Sequence, residues 1–219
     1  MALFPRKING MYAEILKENT DLPPSRVGVA FFQKEEQIWD EIYWHNWYRK
    51  LDHYVIPLLK SSQDQVEVGA VPVETSEGWI LIYSYIKNYL SNDKVFGIEA
   101  VLLDLQNPLK IIGRTEEPLL VPEKDYELKG NVPNVIFPSG AIIHNDELGI
   151  YYGGADTVSC LATCKLNDLM SSLRHLEYVE TVPVHGSNLL KRYSDNPIIS
   201  PVPEHSWESK YTLNPAAVS

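Results

Sequence analysis

One dipeptide recurs along this chain at a nearly fixed interval, and it constrains the fold more than any other feature. An apolar residue followed by proline stands at Phe4-Pro5, Val71-Pro72 and Phe137-Pro138, so the prolines are 67 and then 66 residues apart. Each dipeptide opens the same plan. A glycine marks a turn (Gly10, Gly78, Gly149), a run rich in β-branched and aromatic residues comes next, and after a break a second run carries small residues. The first unit reads FPRKINGMYAEILKE and SRVGVAFFQKEEQI; the second, VPVETSEGWILIYSYI and VFGIEAVLLDLQNP; the third, FPSGAIIHNDELGIYYGGAD and TVSCLATCKLNDLM. Self-similarity at such a period marks a repeat architecture. Two strands joined through a turn make a hairpin, and one hairpin cannot bury its own faces. Units of this length, with about four strands each, suggest propeller blades packed around an axis. The expected fold is all-β, with blades in an arc rather than a closed ring. A β-sandwich with a coincidental proline interval would also suit this strand spacing.

One stretch departs from the β pattern. QKEEQIWDEIYWHNWYRKLDHYVIPLL sets Ile38, Ile42 and Leu51 near one helical face, with charges at its front and Pro57 near its end. That pattern predicts an inserted helix over 34–52. Its aromatics, Trp39, Tyr43, Trp44, Trp47 and Tyr48, suit a sugar platform or packing against a sheet; packing is the expected use. NDLMSSL predicts a short second helix with Asn167 as its cap. The connection EYVETVPVHGSN then leads to KRYSDNPIISPVPEHSWESKYTLNPAAVS, which reads like the opening of a further copy. Asn214-Pro215 repeats the proline signal 77 residues beyond Pro138. From about Lys191 the tail is expected either to be poorly anchored or to be borrowed by a sheet edge. In the second case NPIISP docks as a strand and Trp207 packs on the exposed face.

The net charge of -10 argues against nucleic acid or an anionic membrane as the main partner, since both reward clustered Lys and Arg. No apolar run has the length of a bilayer span and no signal-peptide pattern starts at Met1, so a cytoplasmic protein is expected. Cys160 and Cys164 lie four apart in a strand-like run, on one face and roughly 13 Å apart at ~3.3 Å per residue. A disulfide needs Cα atoms within roughly 7 Å, so buried thiols are expected. The six histidines are scattered, with no HExxH or CxxC context, and no metal site is expected.

Four phrases resemble glycoside hydrolase family 130, the mannoside phosphorylases and related β-mannosidases: FPRKINGMYA, EGWILIY, AVLLDLQNPLKIIGRTEEPLLVPEKDYELKGNVPNVIFPSGAI and IYYGGADTVSCLAT. The resemblance implies a five-bladed β-propeller, of which this chain has the later blades only. It implies carboxy-terminal blades over 1–174, a linker over 175–190, and over 191–219 the amino-terminal opening of a second propeller domain. The family acts on β-mannosides with inversion. Hydrolysis of that kind takes an acid and a base, whereas phosphorolysis takes an acid and bound phosphate.

The resemblance assigns site residues one by one. Asp156, in GGAD, matches an aspartate that contacts the sugar beside the scissile bond; the alternative is an Asp that stabilises the turn after two glycines. Asn134, in VPNVIFP, lies beside the same channel by resemblance or is a backbone-bonding Asn, and Lys7, in PRKI, faces either the channel or solvent. Tyr83 is retained from the phosphate-binding phrase, but Ser84 and Tyr85 stand where His-Gly is usual. Glu74 is a candidate base for water or an ordinary loop residue. Asn214 resembles an early asparagine near the sugar and would serve the next domain. The family's proton donor sits in a Glu-Asp-Pro-Arg-like phrase that does not occur in this sequence, so no general acid is assigned and the catalytic residue is unknown. The implied co-substrate is inorganic phosphate, with no other cofactor. The implied partner is a mannose-containing oligosaccharide, together with a complementary propeller fragment or a further copy of the chain. The competing reading is a non-catalytic, degenerate propeller that binds carbohydrate or a partner.

Overall fold

The computed structural model describes residues 1–18, 24–173, 186–213 and 215. The chain is predominantly β, in three antiparallel sheets, one for each proline-led unit. The first sheet runs in the order β1 (Ala2–Leu3), β2 (Tyr12–Glu18), β3 (Arg26–Phe32), β4 (Val55–Ile56). The second holds β5 (Gln65–Val68), β7 (Trp79–Lys87), β8 (Val95–Leu103) and β9 (Ile111–Arg114), with β6 (Val73–Glu74) also pairing β7. The third is β10 (Ile136–His144), β11 (Glu147–Gly154), β12 (Val158–Lys165) and β13 (Lys191–Arg192).

The second sheet lies in the middle, buried on both faces. Along β7, Ile80 and Ile82 enter one core shared with the third sheet. Trp79, Leu81, Tyr83 and Tyr85 enter another shared with the first. A strand covered on both sides reads as a continuous apolar run, as WILIYSYI does. Gly69 marks a close approach between sheets: a Cβ there would lie 2.6 Å from Ile82 O and 2.9 Å from Pro138 Cγ.

The hairpin turns differ from the glycine pattern in one unit. Asn9 and Gly10 close the first turn with φ of 50° and 81°. In the third unit the turn is Asn145–Asp146, at φ 49° and 62°, and Gly149 lies inside β11. Asn and Asp tolerate the left-handed region that a two-residue hairpin demands, so no glycine is required there.

The helix expected over 34–52 is broken. A 3₁₀ turn, Glu35–Trp39, precedes α1 (Glu41–Arg49), and a second 3₁₀ turn, Leu51–His53, comes after it. Asp40 breaks the run, taking extended backbone and capping α1 by accepting from Ile42 N. Trp47 and Leu51 pack on Ala30 and Phe32 of the first sheet, joined by Tyr43 and Trp44. The cluster is therefore packing, though Trp39 is 87% and Tyr48 58% exposed. A one-turn helix α2 (Asp125–Leu128) lies near β11, and α3 (Leu166–Leu173) comes directly after β12. Asn167 sits inside the first turn of α3 rather than capping it. Among the described residues no helix is long and apolar enough to cross a membrane.

The tail docks on the free edge of β12. Ala162 pairs Arg192 and Thr163 pairs Lys191. The Asn196 side chain then imitates a strand: Leu161 N donates to its Oδ1 at 2.9 Å and its Nδ2 donates to Leu161 O at 2.8 Å. Ile198 and Ile199 bond to Ser159, and Thr212 N donates to Thr157 O. Of the two expected fates, the structure has the borrowed edge. Trp207 does not pack on a sheet, however, and is 78% exposed. Residues 175–185 of the expected linker lie outside the described residues.

Candidate functional site

Proline lacks the N–H that a strand with two neighbours must donate, so strand prolines belong at edges. The three proline phrases accordingly lie along the edge strand of each sheet, the one paired on a single side. The residues just after each proline are therefore presented at equivalent positions: Arg6 and Lys7, Val73 and Glu74, then Ser139.

Two of these edges are tied together. Arg6 Nη2 and Nε donate to Glu74 Oε1 at 2.6 and 2.8 Å, and Nε also reaches Oε2 at 2.9 Å. The guanidinium lies 5.0 Å from the Trp79 ring centroid. Both side chains are about 40% exposed, at 42% and 40%. Hydrogen bonds from Arg6, and its charge, hold the Glu74 carboxyl below the ordinary range. That makes Glu74 a firmly ionised, weakly basic group, poorly matched to taking a proton from water near neutral pH. Lys7 is exposed, with its ammonium 4.0 Å over the Tyr12 ring.

On the third edge the pairing of β10 with β11 shifts register between Pro138 and Gly140. Ser139 is the extra residue of that bulge, a device that re-aims a side chain. Its Oγ donates to Pro215 O, so the end of the tail reaches the same edge.

The segments that carry Asn134 and Asp156 are bonded to each other at the entrance to β10. Ala155 N donates to Val135 O at 2.8 Å, Val132 N to Ala155 O at 3.1 Å, and Asn131 N to Thr157 Oγ1 at 2.9 Å. Gly130 permits the approach, since a Cβ there would meet Ala155 O at 2.5 Å. Both candidates have left-handed backbone, φ 60° at Asn134 and 48° at Asp156. Asn134 is exposed and lines a cavity of about 230 Å³ with Lys94, Phe96 and Pro122. Asp156 is half-buried in the turn between β11 and β12.

Tyr83 lies elsewhere. It is fully buried between the first and second sheets, and its hydroxyl donates to Glu99 Oε2 at 2.8 Å. Lys60 Nζ meets the other oxygen of Glu99 at 2.8 Å. Burial pushes the phenol well above its usual range. An enclosed hydroxyl with this partner is not presented to a sugar. Beside it on β7, Ser84 is buried with an Oγ that meets no described partner, and Tyr85 donates to Asp64. Asn214 lies outside the described residues.

Besides Glu99 and Asp64, two further carboxyls that the residue pattern did not single out are buried. Glu14 on β2 is 1% exposed, and burial pushes its pKa up, partly opposed by the amino terminus. Glu127 in α2 is fully buried, accepts from Tyr152 OH at 2.8 Å, and is clasped by Arg192 Nε and Nη2 at 2.7 and 2.9 Å. A charged residue inside an apolar run, as Glu99 is in GIEAVLL, was the available signal for such groups. Both cysteines are free and buried, with thiols pushed up to about 12 chiefly by burial. Among the described residues no three His, Cys, Asp or Glu side chains are grouped to hold a metal.

The chain is 36% identical over 173 residues to a 1,2-beta-oligomannan phosphorylase of Thermoanaerobacter sp. (strain X514), covering 77% of this chain and 51% of that one. It is 34% identical over 174 residues to a beta-1,4-mannooligosaccharide phosphorylase of Ruminococcus albus, covering 78% and 49%. The beta-1,2-mannobiose phosphorylase from Listeria innocua, solved with beta-1,2-mannobiose, superposes with a TM-score of 0.61 at 29% identity, over 78% of this chain and 45% of that chain. The chain thus spans about half the length of the curated relatives it matches. The family model described as beta-1,4-mannooligosaccharide phosphorylase matches residues 1–175, and the chain belongs to that family, glycoside hydrolase family 130.

Proposed function

We propose that this chain carries later blades of a five-bladed β-propeller that processes β-mannosides, taking inorganic phosphate when the reaction is phosphorolysis. The observation that supports the reading is that the chain reversals carrying Asn134 and Asp156 are bonded to each other, Ala155 N to Val135 O and Val132 N to Ala155 O, at one end of the third sheet and within the residues that match the family. No described residue donates to the Asp156 carboxylate, so it is not spent on stabilising its own turn and can accept two sugar hydroxyls. Lys7, held on Tyr12, and Arg6 supply positive charge at the first edge. Asn214 keeps its proposed place near a sugar. Tyr83 acts through the core, by fixing Glu99 and, through it, Lys60. The segment from Lys191 is proposed to be the opening of a propeller of the same kind, and its docking on β12 supports a role in completing the third sheet.

The chain by itself is proposed to bind mannosides without turnover, because the Glu-Asp-Pro-Arg-like phrase is not in its sequence. A second reading, a degenerate propeller that only binds, is favoured by Ser84 and Tyr85, whose buried side chains replace the usual His-Gly. Incubation with β-1,2- and β-1,4-mannobiose, with and without phosphate, separates the outcomes. Binding seen by calorimetry, weakened at least about tenfold by Asp156→Asn, is expected. Mannose or mannose 1-phosphate released above a heat-treated control would overturn the claim of inactivity. Unchanged binding in Asp156→Asn would remove the assignment of that residue.

A further inference from the structure

Between Ile199 and Thr212 the tail leaves the third sheet and returns to it. Both feet of this excursion stand on the residues just after Asp156. Ser159 N donates to Ile199 O at 3.0 Å, and Thr212 N donates to Thr157 O at 2.9 Å. The Thr212 hydroxyl adds bonds to Thr157 O and Ile199 O at 3.2 and 3.1 Å, pinning the two feet to each other. The excursion also closes on itself. Val202 N donates to Glu208 O at 3.0 Å, His205 N to Val202 O at 3.0 Å, and Glu208 N to His205 O at 3.1 Å.

Trp207 stands within this closed turn, 78% exposed. The His205 ring stacks on it with centroids 4.8 Å apart and planes 19° apart, and Glu208 holds His205 through Nδ1. His205 thus covers one face of the indole and leaves the other to water. A tryptophan is the largest apolar side chain, and leaving its face hydrated forgoes most of what its burial returns. Here the turn that carries it is held by backbone bonds, so the exposure is built in. The other highly exposed tryptophan, Trp39, sits on the inserted helical segment over the first sheet, away from the third-sheet turn.

We propose that Trp207 is a stacking platform for a pyranose unit of a β-mannoside chain, adjoining the sugar held at Asp156. The proposal rests on the reading of Asp156 as a sugar anchor. One face of a pyranose is lined by C–H groups and packs on an aromatic ring, while its rim hydroxyls need polar partners. Glu208 and His205 are the polar groups beside the indole. A platform rooted at Thr157 and Ser159 serves a longer glycan, whose further units extend beyond the one bonded to Asp156.

The test titrates the whole chain with mannose and with β-1,2- and β-1,4-linked mannotetraose by calorimetry. Trp207→Ala is expected to weaken a tetraose about tenfold and to leave mannose within about twofold. Trp207→Tyr should restore most of the loss, and melting curves should coincide because the ring is exposed. Asp156→Asn should weaken both ligands. If Asp156→Asn loses binding while Trp207→Ala holds the tetraoses like the parent, the platform is refuted and the Asp156 reading survives. If only Trp207→Ala loses binding, the Asp156 reading falls, which overturns the claim that the platform adjoins a sugar held there. A parent chain that binds none of these sugars overturns both. A change of oligomeric state in Trp207→Ala, with sugar affinity intact, would identify the ring as a protein contact and overturn the platform.

Discussion

Among the described residues three arginines, Arg6, Arg26 and Arg192, reach both carboxylate oxygens of a glutamate, and the surroundings of the first and the last differ most. Arg6 and Glu74 join the edge strands of the first and second sheets, and both remain about 40% exposed. Arg192 and Glu127 join the tail to α2 beneath β11, with side chains 13% and 0% exposed. In each case the glutamate is held below its ordinary range. For Glu74 the hydrogen bonds from Arg6, aided by its charge, outweigh a smaller opposing desolvation. For Glu127 burial pushes the other way, and Arg192 together with the backbone N–H groups of Glu123 and Lys124 overcomes it. The difference is one of dielectric. Water competes for the first pair and screens it, so the pair arranges a surface more than it stabilises a fold. The second pair has exchanged its hydration for a fixed set of donors, so removing one member strands the other.

Breaking the buried pair should have the largest effect. Arg192→Ala leaves the Glu127 carboxylate with Tyr152 and two backbone donors, and should cost roughly 3–5 kcal/mol in urea unfolding. A loss no greater than that of Arg6→Ala would abolish the contrast. The pH profile is the next test. Because the folded pKa of Glu127 is lowered, its contribution is present above the unfolded glutamate value of about 4.3 and is lost as pH falls through the folded value. The melting temperature of the parent should therefore drop in acid below about pH 5 more steeply than that of Arg192→Ala. Parallel acid profiles would show that the pair does not set this dependence.

Smaller effects are expected at the exposed pair. Arg6→Ala and Glu74→Gln should leave the melting curve unchanged while altering the salt dependence of anion binding at the strand edges. A clear fall in melting temperature would show that the two edges depend on this clasp. The finest probe is thiol chemistry. Cys160 is influenced by Glu127, Tyr152 and Arg192, whereas Cys164 is influenced by Asp168 and Glu147. With both raised to about 12, neither should react with a disulfide reagent near pH 8 in the folded parent. Their neutral burial stabilises below the ordinary thiol value and is lost as pH rises towards about 12. In Arg192→Ala the lost positive charge by itself raises the Cys160 thiol further, so labelling of Cys160 before Cys164, the expected order, reports opening of the sheet around the broken pair. Simultaneous labelling would mean that the variant opens the whole sheet rather than the neighbourhood of the buried pair.

The repeat is legible because it is local. An edge proline, a turn and an apolar run are encoded within a few residues of one another, and the three units fold as three sheets. In the third unit Asn145 and Asp146 take the turn that the pattern gives to Gly149, since more than one residue type reaches left-handed backbone. The helix is legible in kind but not in extent, because a single cap, Asp40, divides it. The candidate site is legible only in part. GGAD and VPN mark two chain reversals whose neighbouring residues, Ala155 and Val135, are bonded, but Tyr83 reads as a site residue only from its neighbours in sequence. Strand alternation turns it into the core, where a desolvated phenol requires a partner and finds Glu99.

The β architecture, the unit length and the family are all contained in the amino-acid order alone, because periodicity and motif are properties of short segments. Which charges meet is settled only in three dimensions. Arg6 finds Glu74 across 68 residues and Arg192 finds Glu127 across 65. No local propensity links such positions. They are joined when the sheets pack side by side and a tail strand closes the third, and the burial each pair then experiences determines whether the same bond shapes a surface or holds a core.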